Sequence, residues 1–295
     1  MFIDIHTHIT YGNCKEYSTL LGRKPFTAST LIKKMDAEGI DKSVLLPLVN
    51  AEVMDYYGVA GNQECLEAVK KYPDRLMTFC GIDPRSMMNY KKGNLVKLLT
   101  VYKKLGCIGI GEMCASIPIT HKLYQNLFYA AGEENMPILF HFIPKVCHSY
   151  GAIDKLHLPG LEKMLEKYPK TIFIGHSPCF WNEIAPLTDK ERSGYVRGPF
   201  KKEGTLWRLM REYPNIYGDI SAGSGYIALS RDNKSYEFME KFSDRLFFGT
   251  DRFSSEDEPA PPQIAFLKDA LKSKKMSKST YEKISHKNFE RIFLS

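Results

Sequence analysis

Apolar runs of four to seven residues recur along the chain, at residues 2–8, 43–48, 76–82, 108–112, 138–142, 171–176, 216–220 and 246–249. They are nearly continuous in Ile, Leu, Val and Phe and show little polar alternation, which is how parallel strands buried on both faces read. Between them, apolar positions return every three or four residues, the spacing of a one-sided helix. These stretches predict helices at 30–38, 63–72, 95–105, 122–133, 161–168, 206–213, 236–242 and 262–272. Gly39 and Gly106 follow two of them, as left-handed caps require. Tyr72-Pro73, Tyr168-Pro169 and Tyr213-Pro214 end three more, because the residue before proline is pushed out of the helical region. Eight strand–helix alternations within 295 residues predict an α/β fold, a single (β/α)8 TIM barrel over residues 1–295. A doubly wound open sheet is the alternative. No Gly-x-Gly-x-x-Gly follows the first strand, so the dinucleotide-binding version lacks its phosphate loop.

Composition narrows the picture only slightly. Hydrophobic residues make up 43% of the chain and charged residues 25%, ordinary values for a globular protein. The net charge of +7 suits an anionic small molecule, but the basic residues are scattered and form no nucleic-acid footprint. The lysine-rich stretch 268–278 reads as a solvated helix face. Seven cysteines are scattered without a Cys-x-x-Cys pair, which argues against a disulfide framework and fits a reducing cytoplasm. Met1 leads straight into a strand, so no secretory signal is expected, and no apolar run is long enough to span a bilayer.

The chemistry gathers at the strand ends. The first run closes in His6-Thr7-His8. Alternate residues of a strand share a face, so the two imidazoles point the same way, about 7 Å apart at Cβ and able to lean onto one ion. The fourth run ends in Glu112, the fifth in His141, the sixth in His176, and Asp251 follows the eighth. In a barrel all these ends surround one mouth, where catalytic residues sit. His121, His148, His157 and His286 fall elsewhere and read as capping or surface residues, with the loop of His148 expected to overhang the mouth.

His6-Thr7-His8, His141, Gly175-His176 and Gly249-Thr250-Asp251, in this order, resemble the amidohydrolase superfamily of metal-dependent barrels. The closest likeness is to the amidohydrolase-related branch that includes aminocarboxymuconate-semialdehyde decarboxylase. The resemblance implies His6, His8 and His141 as metal ligands. It makes Asp251 a further ligand or the base beside the metal, and gives His176 the task of polarising water or a substrate oxygen. It also implies a catalytic zinc or other divalent ion. Glu112 either bridges two ions or holds a histidine N–H from behind. No lysine ends the fifth strand, where some relatives carry a carbamylated bridge, and this favours one ion per chain.

Substrate contacts are expected from the strand-end loops, with Lys145, Trp181, Arg197 and Arg252 as candidates. Cations at the mouth would hold a carboxylate through charge-assisted hydrogen bonds. Asp219 and Ser221 are expected to line the pocket or brace its backbone. The expected activity is hydrolysis of an amide, lactone or ester of a small, anionic molecule by a metal-activated water. The alternatives are a metal-dependent non-oxidative decarboxylase, a two-metal phosphoesterase and a non-catalytic binding barrel. No nucleic-acid or membrane partner is expected, and a homo-oligomer is left open.

Overall fold

A computed structural model of the chain describes residues 1–10, 26–146, 149–253 and 259–294. Cys14, Cys147, His148 and the stretch 254–258 lie outside the described residues. Each apolar run forms a strand: β1 (Ile3–Thr7), β2 (Lys42–Leu45), β3 (Leu76–Cys80), β4 (Cys107–Met113), β5 (Ile138–Ile143), β6 (Phe173–His176), β7 (Ile216–Asp219) and β8 (Leu246–Phe247). They stand in chain order, and every neighbouring pair is parallel. The two ends meet. The Ile5 N–H donates to the Phe248 carbonyl at 3.0 Å, the His8 N–H to the Arg252 carbonyl at 2.8 Å, and the Asp251 N–H to the His6 carbonyl at 2.8 Å. The predicted TIM barrel is therefore the fold.

The helices fall where the periodicity expects them: α1 (Ala28–Glu38), α2 (Asn62–Lys71), α3 (Lys92–Lys104), α4 (Lys122–Glu134), α5 (Pro159–Lys167), α6 (Thr205–Glu212), α7 (Asn233–Lys241) and α8 (Pro262–Lys272). Gly39 closes α1 at φ 74°, and tyrosines 72, 168 and 213 terminate α2, α5 and α6 ahead of their prolines. A two-residue strand, Ala152–Ile153, pairs beside Phe142 and Ile143 of β5; the sequence pattern does not signal it. Among the described residues no helix is long and apolar enough to cross a membrane, and five cysteines are free and buried.

Two apolar layers result. One lies between strands and helices, with Leu31, Met35, Leu99, Phe128, Phe140 and Leu161 among its members. The other joins Ile5, Val44, Leu46, Phe79, Leu139, Ile174, Tyr217 and Phe247, with Phe289 of the C-terminal helix packed into it. On three strands the two-residue period carries the inner face upward from this plug: Leu139 to His141 on β5, Ile174 to His176 on β6, Tyr217 to Asp219 on β7; on β1 and β4 register shifts bring His6, His8 and Glu112 to the same mouth. The polar mouth is thus a direct continuation of the packed interior.

Leu139 is fully buried in that plug. Leu139→Ala should cost about 2–5 kcal/mol, the usual price of a cavity in a close-packed core. Urea unfolding with an unchanged slope would measure it, and a loss under about 1 kcal/mol would mean that the interior collapses around the gap.

Candidate metal centre

Thr7 turns away from the mouth, its hydroxyl donating to the Val44 carbonyl at 2.8 Å. His6 and His8 converge, with their Nε2 atoms 3.1 Å apart. The opposite ring nitrogens are tied down. His8 Nδ1–H donates to the Leu46 carbonyl at 2.7 Å, and His6 Nδ1–H to Asp219 Oδ2 at 2.6 Å. Carbonyls and carboxylates only accept, so each ring carries a proton on Nδ1, and in a neutral ring Nε2 keeps its lone pair. Two such lone pairs facing at 3.1 Å repel, unless one ring takes up a proton and donates to the other. A divalent cation between them removes the conflict, and neutral imidazole is its natural ligand.

Carboxylates complete the ring. Asp251 follows β8 at φ 58°, a left-handed conformation that Asp tolerates better than most residues. Its Oδ1 lies 3.3 Å from His6 Nε2 and 3.5 Å from His8 Nε2. Glu112 Oε2, from β4, lies 3.6 Å from both nitrogens. Four-coordinate zinc with bonds of about 2.1 Å sets neighbouring ligand atoms about 3.4 Å apart. The spacings of 3.1–3.6 Å from the two histidines lie near that value, with Asp251 and Glu112 falling into separate groups around His6.

Among the described residues, His6, His8 and Asp251 form one group able to hold a cation, and His6, Glu112 and His176 a second. His141 is not gathered directly with His6 and His8. Its Nδ1 donates to Glu112 Oε1 at 2.9 Å, so Glu112 spans the distance between the β1 histidines and β5.

Asp219 is the anchor beneath. Besides His6 it accepts the Ser221 hydroxyl at 2.8 Å and the Ser221 N–H at 2.9 Å, and its Oδ2 lies 3.2 Å from His176 Nδ1. The Ser221 oxygen lies 3.0 Å from the same nitrogen, so His176 also carries its proton on Nδ1. Its Nε2 then faces Asp251 Oδ2 at 3.8 Å. Gly249 makes room for the anchor: a Cβ there would stand 2.5 Å from Asp219 Oδ1. Asp219 and Ser221 thus orient the histidines rather than line the pocket. The signal was present, since Asp219 ends a barrel strand as the other site residues do.

The electrostatics agree with a missing positive charge. Burial alone would lower the pKa of His6, but Asp251, Asp219 and Glu112 hold it well above the ordinary value. Burial would raise Glu112, yet hydrogen bonds from His141 and His6 keep it well below the carboxylate range. Against the same penalty, His6 and His176 hold Asp219 low, and His6, His8 and His176 hold Asp251 low. Burial pushes Asp4 up to about 7, despite bonds from the Thr250 hydroxyl, the His6 N–H and the Thr250 N–H.

The predicted substrate contacts fare differently. Trp181 is 0% exposed; its indole N–H donates to the Asp219 carbonyl and its ring packs over Gly218, so it is part of the wall and not a mouth residue. Arg252 is 4% exposed and lines the cleft beside Asp251; its Nη2 donates to Glu38 at 2.7 Å, while Nε and Nη1 have no hydrogen-bond partner among the described residues. Lys145 and Arg197 stand exposed on the loops after β5 and β6, with no ion pair among the described residues. Instead, Tyr57, Tyr150 and Phe253 pack beside the ring. Phe253 lies 6.3 Å from His8 and Tyr150 4.5 Å from His141, centre to centre. Tyr195 packs over Gly223, its phenol pushed up by burial and by the charge of Asp251. A cleft of about 380 Å³ opens beside Asp251, lined by Gly223, Thr250, Phe253 and Gln263 among others. His121 caps α4, and His157 bonds Glu183 away from the mouth.

Neither a protein-family model nor a curated protein matches the chain. Solved structures do. A 2,6-dihydroxybenzoate decarboxylase from Rhizobium is 16% identical over 99% of this chain and 98% of its own, with a TM-score of 0.62. A 5-carboxyvanillate decarboxylase from Novosphingobium aromaticivorans, complexed with manganese, is 17% identical over 100% and 96%, with a TM-score of 0.58. A "probable 2-pyrone-4,6-dicarboxylic acid hydrolase" from Acinetobacter baumannii is 14% identical over 100% and 99%, with a TM-score of 0.59. The likeness is one of fold. It spans the whole barrel and leaves the chemistry to be argued from the mouth.

Asp219→Asn should keep the fold but weaken divalent-metal binding by about 10- to 100-fold, the usual cost of losing a carboxylate behind a ligating histidine. Titration of the apo protein with zinc, read by calorimetry, checks this. Unchanged affinity would mean that His6 needs no anchor.

Proposed function

We propose that the protein is a metal-dependent hydrolase that cleaves an amide, lactone or ester bond of a small molecule. The observation that carries this reading is the convergence of two Nε2 lone pairs with Asp251 Oδ1 and Glu112 Oε2 at ligand spacing. His6, His8 and Asp251 would hold one divalent ion. Glu112 and His176, which gather with His6 into a second group, favour a second ion bridged by Glu112 over the single ion expected from the sequence. A bound divalent ion lowers the pKa of water towards neutrality and polarises the bond to be cleaved.

The residues divide the remaining work. Asp219 and the Leu46 carbonyl fix the tautomers of His6 and His8. Asp251 keeps Oδ2 for proton transfer while Oδ1 faces the histidines, and its side chain is 28% exposed where those of Glu112, His6 and His8 are at most 3% exposed. It takes the proton of the attacking water and returns it to the leaving group. His176, aligned by Ser221 and Asp219, presents Nε2 3.8 Å from Asp251 Oδ2, where it can accept a proton from the substrate side.

A second reading, non-oxidative decarboxylation, draws on two of the three structural neighbours, whose names are those of decarboxylases. A carboxylated substrate needs a cation; Arg192 is engaged by the Asp154 and Lys155 carbonyls and Arg85 by Glu52 and Asp83, whereas Arg252 lines the cleft with Nε and Nη1 unpartnered among the described residues.

Purified protein loaded with zinc or manganese should bind about two ions per chain, and Glu112→Gln should reduce this to one, as a bridging ligand predicts. Mass spectrometry of desalted protein reads the count; one ion in both proteins returns Glu112 to a supporting role. Asp251→Asn should lower kcat by about 100-fold or more on any ester or lactone that the wild type cleaves. Release of carbon dioxide from carboxylated phenols, without hydrolysis of esters or lactones, would transfer the assignment to the second reading.

A further inference from the structure

The segment after β5 turns back on itself. Ala152 and Ile153 pair with Phe142 and Ile143, one residue beyond His141, and the Gly151 N–H donates to the Cys114 carbonyl at 3.0 Å. Gly151 alone makes this return possible. It sits at φ 137°, and a Cβ there would meet the His141 carbonyl oxygen. The effect is to lay Tyr150 against the ring of His141, centres 4.5 Å apart and tilted by 46°, with Tyr57 at 5.5 Å on its other side.

Among the described residues some tyrosine hydroxyls are held by the protein and others, that of Tyr150 included, are not. Those of Tyr102, Tyr124, Tyr168 and Tyr213 each meet a protein partner. No hydrogen bond from Tyr150 is found among the described residues, although the ring is half-buried and lies within the fields of Glu112 and Asp251. A half-buried phenol without a partner at the lip of a site is a donor waiting for a ligand oxygen.

We propose that the Tyr150 hydroxyl is a catalytic hydrogen-bond donor to the substrate oxygen on which negative charge builds as the bond is cleaved. The inference rests on the hydrolase reading for the identity of that oxygen, an acyl oxygen. Donors aimed at such an oxygen in a water-poor site contribute much of the rate enhancement of acyl transfer. Tyr57 and Phe253, 5.5 Å apart, continue the wall from Tyr150. A flat, uncharged ring next to the scissile group therefore matches this side of the mouth better than the anionic substrate expected from the sequence.

The test compares wild type and Tyr150→Phe, both loaded with manganese, in two arms. In the first, turnover of p-nitrophenyl acetate and dihydrocoumarin is measured. Tyr150→Phe should lose about 100-fold in kcat with little change in KM, and its metal content should be unchanged. In the second, calorimetry measures binding of phenylphosphonate, whose oxyanions stand in for the charged acyl oxygen. Tyr150→Phe should bind it at least about 10-fold more weakly, the range for losing a hydrogen bond to a charged group. If the wild type hydrolyses neither probe but the phosphonate difference holds, the hydrolase reading falls and the role of Tyr150 as an oxyanion donor stands. Equal phosphonate affinity, or a wild type that does not bind it at all, overturns the proposal, as does a Tyr150→Phe protein with undiminished kcat.

Discussion

Buried negative charge at the barrel mouth, with imidazoles as its immediate neighbours, is the constraint around which this structure is organised. Asp4, Glu112 and Asp219 are buried to within 2% exposure, and Asp251 joins them from the rim. Ionised carboxylates are costly to bury unless paired. Burial alone would lower the pKa of His6, but Asp251, Asp219 and Glu112 hold it above its ordinary value. With a divalent cation the same charges become ligands and supports, and the tautomers set by Leu46 and Asp219 are the ones a cation requires. A metal therefore relieves an electrostatic conflict built into the chain, and its binding is coupled to the stability of the mouth.

That mouth is also the seam of the barrel. The sheet closes where β1 meets the segment after β8, and the closing hydrogen bonds belong to Ile5, His6, His8, Phe248, Asp251 and Arg252. Asp4 reinforces the seam by accepting from the Thr250 N–H and hydroxyl at 3.0 and 2.6 Å and from the His6 N–H at 3.0 Å. The residues that close the fold thus set the distance between His6 and Asp251. A substitution at Thr250 would therefore act on the site through the backbone, since its hydroxyl donates to Asp4 and accepts from the Arg252 N–H.

Much of this was legible in the sequence, for a physical reason. A strand buried on both faces must be apolar almost throughout, so a polar residue at its end marks the point where it leaves the core. His6, His8, Glu112, His141, His176 and Asp251 were found that way, and Asp219 obeys the same rule. The structure differs in what each residue touches. Trp181 and Arg252 have the composition of contact residues, but a tryptophan can equally be a wall and an arginine can equally be buried against a glutamate; pattern does not separate the two. Tyr150 was invisible because its place depends on a two-residue strand and on Gly151, features too short to produce a period.

The fate of the arginines bears on what the site can accept. A net charge of +7 suggests attraction of anions, yet the charge that matters is the charge within about a Debye length of the ligand. Around the mouth the buried groups Glu112 and Asp219 are acidic, Arg85 and Arg192 are engaged by Glu52, Asp83 and two backbone carbonyls, and Arg252 stands at the cleft beside Asp251 with Nε and Nη1 unpartnered among the described residues. The positive charge that bears on a ligand is therefore local to Arg252 rather than spread over the surface. Shape acts beside it: the aromatic cluster of Tyr57, Tyr150 and Phe253 and the cleft beside Asp251 bound the space that the proposed substrate would have to fill.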